Sequence, residues 1–113
     1  FHCKPNKDNK PLINFEMLKS MKKNALIINT ARGNLIDEND LKIALEEGLI
    51  KGAAFDVFSS EPATENVLFN VPNLILTPHI AASTVEAQIV VAEQIAKQIS
   101  EYFNNGKVVN AVN

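Results

Sequence analysis

Three short apolar runs, each followed at once by polar side chains, limit what this chain can fold into. They lie at residues 25–28, 53–55 and 74–76. Unbroken apolar runs of this length predict strands buried on both faces, as in a parallel sheet. Helical patterns alternate with these runs, which is typical of an α/β layer. We therefore predict an α/β fold built on a parallel sheet.

Three helices are predicted between and after the strands. Asn14 is a candidate N-cap for the first, and the second starts near Asp37. Gly48 is suited to end the second helix, with Leu49 beyond it as the Schellman-type contact. The longest helix is predicted over about 84–104. Its apolar residues at helical spacing are Val85, Ile89, Ala92, Ile95, Ala96, Ile99 and Phe103.

Length, charge and cysteine content bound the class of protein. With 113 residues, 46% of them hydrophobic, the chain is one domain at most and has material for a core. The net charge of −2 and the lack of a basic run argue against nucleic acid as a partner. No apolar stretch approaches the roughly 18 residues of a membrane span, so no membrane partner is expected. A single cysteine, Cys3, fits a cytoplasmic protein. Because the chain opens on Phe1, we expect a piece of a longer polypeptide.

Four side chains able to do chemistry follow the predicted strands: Arg32, Asp56, Glu61 and His79. Because parallel strands end at the same edge of a sheet, we expect these side chains to share one edge. An imidazole exchanges protons near neutral pH, and a carboxylate beside it stabilises the imidazolium and fixes which nitrogen faces a ligand. Arginine offers a planar fork that matches a carboxylate. An aspartate accepts hydrogen bonds from a ribose or an amide.

Each of the four also has a plainer interpretation. His79 could be a structural histidine bonded to the backbone, and Glu61 could be a solvated loop residue. Arg32 could form a surface salt bridge. Asp56 could cap a helix or a loop.

Two other kinds of site lack support in the sequence. His2-Cys3 could suggest a metal pair, but nothing else supplies metal-ligand spacing, so we expect no metal. A glycine cradle for a nucleotide pyrophosphate is missing, because the glycines do not cluster: Gly33, Gly48, Gly52 and Gly106. The sequence carries no serine or cysteine nucleophile motif.

Three ordered stretches together resemble the signature motifs of the D-isomer-specific 2-hydroxyacid dehydrogenases. They are residues 29–33 with Asp37-Glu38, residues 52–62, and Thr77-Pro78-His79-Ile80. The similarity covers almost the whole chain. Residues 79–88 and 109–113 most resemble the branch of the family that oxidises D-3-phosphoglycerate.

The resemblance implies a protein of two Rossmann-like domains, one for NAD and one for the substrate. Residues 1–113 would be part of a Rossmann-type doubly wound parallel sheet with flanking helices. They would form the C-terminal half of the NAD-binding domain, including the long helix after it. The half with the glycine fingerprint and the substrate domain would be absent. Because the sheet would then expose an edge strand, we expect that either the remainder of a longer polypeptide or a dimeric arrangement covers it. We expect a homodimer or a larger oligomer for the protein, with the long helix near the contact.

The resemblance also assigns roles. Arg32 would grip the substrate carboxylate, His79 would be the acid/base on the C2 oxygen, and Glu61 would pair with His79. Hydride would pass between substrate C2 and the nicotinamide of NAD. The residues that would contact or border NAD are His2, Thr30, Ala31, Arg32, Asp56, His79, Ile80, Ala81 and Ala82. Asp56 is expected at the carboxamide. Ala81 stands where many members have glycine, so a positive φ there would strain it.

The implied function is NAD-dependent oxidation of a D-2-hydroxy acid. The first choice of substrate is D-3-phosphoglycerate, which would be converted to 3-phosphohydroxypyruvate in L-serine biosynthesis. A glyoxylate or hydroxypyruvate reductase, or another D-2-hydroxyacid dehydrogenase, is the alternative within the enzyme class. From a different class, the same fold serves as an NAD-sensing transcriptional corepressor. The chain by itself could also be an inactive α/β fragment.

Overall fold

The computed structural model describes residues 1–111, so Val112 and Asn113, the end of the 109–113 stretch, lie outside it. The strands are β1 (Leu26–Asn29), β2 (Gly52–Phe55) and β3 (Leu74–Leu76). The α-helices are α1 (Phe15–Ser20), α2 (Glu38–Glu46) and α3 (Val85–Asn105), and a short 3-10 helix spans Gly33–Leu35. The predicted α/β architecture is confirmed.

The sheet has the order β1-β2-β3, and both strand pairs are parallel. Asn29 at the end of β1 pairs with Phe55, which in turn pairs with Leu76. Just beyond this register, the Asp56 amide donates to the Asn29 carbonyl at 3.0 Å and the Thr77 amide donates to Phe55 at 2.9 Å. The carboxyl ends of the three strands therefore lie side by side along one edge.

One face of the sheet is buried and the other is open. Ile27 and Phe55 join a core to which α1 contributes Leu18 and α2 contributes Leu41. On the opposite face, Leu26, Ile28 and Ile75 are 65%, 59% and 68% exposed. The prediction of strands buried on both faces is therefore wrong for this chain. Side chains alternate between faces along a strand, and the core of residues 1–81 covers only one of them.

The ends of α2 follow the predicted chemistry. The Asp37 side chain accepts hydrogen bonds from the amides of Asn39 and Asp40, which caps the first turn. Gly48 has φ of 66°, and the Leu49 amide donates to the Ala44 carbonyl at 2.8 Å. This is the Schellman arrangement, which only a residue tolerant of left-handed backbone allows at low cost. The Phe15 amide donates to the Asp40 side chain at 2.7 Å, which ties the first turn of α2 to the start of α1.

Residues 1–81 form one compact unit, and a second unit begins at Ala82. The second unit consists mainly of α3, which Thr84 caps by accepting from the Ala87 amide at 3.1 Å. Gly106, with φ of 64°, ends the helix. The helix predicted over about 84–104 is thus confirmed to within one residue at each end. No described helix has the combination of length and apolar content that a membrane span needs.

Candidate active site

Glu61 and His79 are brought together at the carboxyl edge of the sheet. Glu61 lies in the loop that follows β2, and His79 lies just after β3. The Nδ1 atom of His79 is 2.6 Å from Oε2 of Glu61. Because a carboxylate can only accept, Nδ1 carries the donated proton and Nε2 is the nitrogen left for proton exchange. The His79 side chain is half exposed and contacts a carboxylate, so it is not a structural histidine whose side chain bonds to the backbone. Glu61 is paired with His79, so it is not simply a solvated loop residue.

The Glu61 carboxylate has a second partner within its own loop. Its Oε1 accepts a hydrogen bond from the Phe58 amide at 2.9 Å. The hydrogen bond with His79, followed by the one from Phe58, holds the pKa of Glu61 below its ordinary value, while burial acts in the opposite direction. Glu61 is therefore an anion at neutral pH.

The turn that carries His79 is closed on Asp56, the residue after β2. Asp56 is buried, and its Oδ1 accepts from the Thr77 hydroxyl at 2.5 Å and from the Ile80 amide at 2.8 Å. Its Oδ2 accepts from the Ala81 amide at 2.8 Å. Asp56 thus acts as the loop cap that its plainer interpretation predicted.

The backbone of His79 makes this closure possible. Its φ is 56°, a left-handed conformation that histidine adopts more readily than most residues. This conformation turns the next two amides back towards Asp56. Ala81 itself does not have positive φ, so the strain expected there is absent.

Burial is the largest influence on the pKa of Asp56 and acts to raise it. The hydrogen bonds from Thr77, Ile80 and Ala81 lower this pKa, and the charge of His79 lowers it further. Together they outweigh burial, so the pKa of Asp56 lies below its ordinary value. Asp56 is therefore a second anion, held by the turn that carries His79.

A turn after β1 presents Arg32. The fully buried Asn29 side chain accepts from the Ala31 amide at 3.1 Å and donates to the Arg32 carbonyl at 2.9 Å. No role is predicted for Asn29 from its sequence position, although a polar residue that ends an apolar strand is a signal for such a side chain. The exposed Arg32 guanidinium donates to the Ala31 carbonyl at 2.6 Å. Within residues 1–111 no carboxylate lies within 4.0 Å of it, which removes the salt-bridge interpretation.

Six of the ten predicted site residues line two cavities, and Asp56, Ile80, Ala81 and Ala82 line neither of them. Glu61 and His79 line one of about 400 Å³, whose other walls are Phe58, Pro62, Ala63 and Pro78. A second, of about 310 Å³, is lined by His2, Cys3, Lys4, Pro5, Thr30, Ala31 and Arg32. The structure therefore places Arg32 on the same sheet edge as His79 but not in the same cavity. Ala82 belongs to the second unit. Across residues 1–111 no three potential metal ligands cluster.

The crevice outside the carboxyl ends of the strands is the part of a doubly wound fold where ligands bind. Residues 1–81 match the family model described as "D-isomer specific 2-hydroxyacid dehydrogenase, NAD binding domain". The chain belongs to the D-isomer-specific 2-hydroxyacid dehydrogenase family.

Several relatives support this assignment. D-3-phosphoglycerate dehydrogenase of Bacillus subtilis is 43% identical over 99% of this chain and 21% of its own length. Glycerate dehydrogenase of Methylorubrum extorquens is 46% identical over 93% of this chain and 34% of its own length. A solved D-isomer specific 2-hydroxyacid dehydrogenase from Xanthobacter autotrophicus, in complex with NADPH and MES, has a TM-score of 0.79 and 32% identity over 99% of this chain and 46% of its own. The chain thus spans about a fifth to a third of the length of these curated relatives.

Proposed function

We propose that this chain is part of an NAD-dependent oxidoreductase that acts on the CH–OH group of a D-2-hydroxy acid. The observation that carries the proposal is the 2.6 Å contact between His79 and Glu61 at the ligand-binding edge of the sheet. In this proposal the chain is the C-terminal half of the NAD-binding domain together with the long helix that follows it. The intact protein acts as a homodimer or a larger oligomer.

His79 is the acid/base of the proposed reaction. Glu61 accepts the Nδ1 proton, so the imidazole is held in one tautomer with Nε2 available. During oxidation Nε2 takes the proton of the substrate hydroxyl, and during reduction it returns the proton to the C2 oxygen. The anionic Glu61 stabilises the imidazolium that forms in between.

Arg32 binds the substrate carboxylate. Its guanidinium is exposed and has no acidic partner among residues 1–111, so it is available for a bidentate contact. That contact would fix the orientation of C2 relative to His79 and hence which face of C2 reacts.

The residues at the sheet edge fit one end of a nicotinamide cofactor. A carboxylate offers about four acceptor positions, and Asp56 uses three, which leaves one for a carboxamide donor. The cleft formed by His2, Thr30 and Ala31 lies at the end of the neighbouring strand β1. The backbone of residues 80–82 would border the ribose. When bound, NAD supplies the hydride acceptor or donor.

The proposed substrate is D-3-phosphoglycerate, oxidised to 3-phosphohydroxypyruvate in L-serine biosynthesis. The similarity to the Bacillus subtilis dehydrogenase supports it. A second candidate, interconversion of D-glycerate and hydroxypyruvate, is favoured by the 46% identity to a glycerate dehydrogenase.

The test is a rate measurement on the full-length protein. Reduction of NAD and of NADP is followed with D-3-phosphoglycerate, D-glycerate and a panel of other D-2-hydroxy acids. A clear preference for phosphoglycerate supports the first choice, and a preference for glycerate supports the second. Cofactor binding without turnover of any acid contradicts the enzymatic proposal and favours a nucleotide-sensing role.

A further inference from the structure

Glu38, the first residue of α2, connects that helix to the loop that carries Glu61. Its Oε1 accepts from the Ser59 amide at 2.7 Å. Its Oε2 accepts from the Ser59 hydroxyl at 2.8 Å and from the Asn66 side-chain amide at 3.0 Å. Hydrogen bonds to an ionised acceptor are among the stronger ones in proteins, and here one carboxylate makes three of them.

These bonds hold the loop at two points on either side of Glu61. Ser59 lies two residues before it, and Asn66 lies five residues after it. Asn66 is itself tied to the core, since its Oδ1 accepts from the amide of Leu68, a fully buried residue. The segment between the two anchors is exposed for most of its length. Its position therefore depends on contacts at its ends more than on packing.

The first anchor is linked through Phe58 to the carboxylate that pairs with His79. Ser59 follows Phe58, whose amide donates to Oε1 of Glu61, while Oε2 of Glu61 contacts His79. The Phe58 and Ser59 amides belong to consecutive peptide units, so release of the Ser59 amide would remove a constraint on the position of the Phe58 amide. The Glu61 carboxylate would then lose its alignment with the imidazole.

We propose that Glu38 is a positioning residue for the Glu61–His79 pair. This inference rests on the proposed function, because its effect on turnover assumes that His79 is the acid/base. A well-supported catalytic pair needs neighbours that fix its geometry within fractions of an ångström.

Turnover provides the first test, in the full-length protein. We expect Glu38→Ala to lower kcat about tenfold, as loss of outer partners commonly does, with the KM for NAD little changed. In a Glu61→Gln background the same substitution should lower kcat by less than about twofold, because the pair it supports is already lost. Ser59→Ala, which keeps the backbone contact, should show the same pattern with a smaller effect. Glu46→Ala, on the same helix, is the matched control and should leave kcat unchanged.

A spectroscopic readout makes the test independent of activity. The Nδ1–H proton of His79, shifted downfield by its short bond to Glu61, should be visible by NMR in the parent protein and absent in Glu61→Gln. It should be weakened or lost in Glu38→Ala and retained in Glu46→Ala. An intact signal and parental kcat in Glu38→Ala would overturn the proposal, and so would equal losses from Glu38→Ala in the parent and Glu61→Gln backgrounds. A protein with no dehydrogenase activity would contradict the proposed function, while the NMR signal would still decide the role of Glu38.

Discussion

His79 and Glu61 are separated by 18 positions in the chain, yet Nδ1 of the histidine lies 2.6 Å from Oε2 of the glutamate. The same carboxylate accepts a hydrogen bond from the Phe58 amide. One side chain therefore stabilises the loop that carries it and also orients the imidazole. The histidine turn is held separately by Asp56. Two fixed anions therefore define the position of one proton-exchanging group.

His79→Ala in the full-length protein should reduce turnover by about 10²–10⁴-fold, the range that a general acid–base group contributes. Cofactor affinity should change little, because the residue proposed at the carboxamide, Asp56, is kept. The measurements are kcat with the preferred acid and the dissociation constant for NAD by fluorescence titration. Turnover equal to that of the parent protein would remove His79 from the mechanism.

Arg32→Lys should weaken substrate binding while leaving cofactor affinity near that of the parent. Lysine keeps the charge but loses the planar fork that contacts both carboxylate oxygens. Loss of one charge-assisted hydrogen bond, about 1.5–3 kcal/mol, corresponds to a fall in kcat/KM of roughly 10- to 150-fold. Lys42→Ala, which removes an exposed cation from α2, is the control and should have no effect. A parental KM for the acid in Arg32→Lys would exclude the proposed carboxylate contact.

Features fixed by local chemistry were predictable from the sequence. Asp37, Gly48 and Leu49 define the ends of α2 through contacts within a few residues of each other. The shared edge of Arg32 and His79 was also predictable, because parallel strands end on the same side of a sheet.

Features that depend on distant contacts were not predictable. An apolar run such as that of β1 shows that Leu26 prefers burial, but not which segment of chain would cover it. The left-handed backbone of His79 accompanies a hydrogen bond from the Ile80 amide to Asp56, which lies more than 20 positions earlier in the chain. The hydrogen bonds that Glu38 accepts from Ser59 and Asn66 span 21 and 28 positions, so no local sequence pattern predicts them.

Gly33→Ala should destabilise the protein and displace the loop that carries Glu61. A Cβ at Gly33 would lie 1.9 Å from the carbonyl carbon of Phe58, and backbone atoms cannot yield as a flexible side chain can. We expect a loss of at least about 3 kcal/mol in the free energy of unfolding, the upper part of the range for overpacking. Urea unfolding of the full-length variant measures it.

Gly48→Asn is the matched control for this prediction. Its added side chain meets no atom within 4 Å of the Cβ, and asparagine tolerates the left-handed backbone at this position. Its cost should stay below about 1 kcal/mol, with turnover unchanged. Equal destabilisation by the two substitutions would show that the close approach of Gly33 to Phe58 is not what requires glycine.

The two depressed carboxyl groups predict a specific loss of stability in acid. Asp56 and Glu61 both have a pKa below the ordinary value, so in the folded protein they bind fewer protons than in the unfolded chain. Their contribution is therefore complete above the ordinary carboxyl pKa and is lost as pH falls through the depressed values. The free energy of unfolding of the full-length protein, measured in urea from about pH 7 to about pH 3, should fall steeply below roughly pH 5.

Asp56→Asn should be less stable at neutral pH, since its amide nitrogen cannot accept, and its stability should fall less in acid. Glu16→Gln, on the exposed surface of α1, should follow the parent curve. A parental slope in Asp56→Asn would mean that Asp56 does not carry the acid sensitivity.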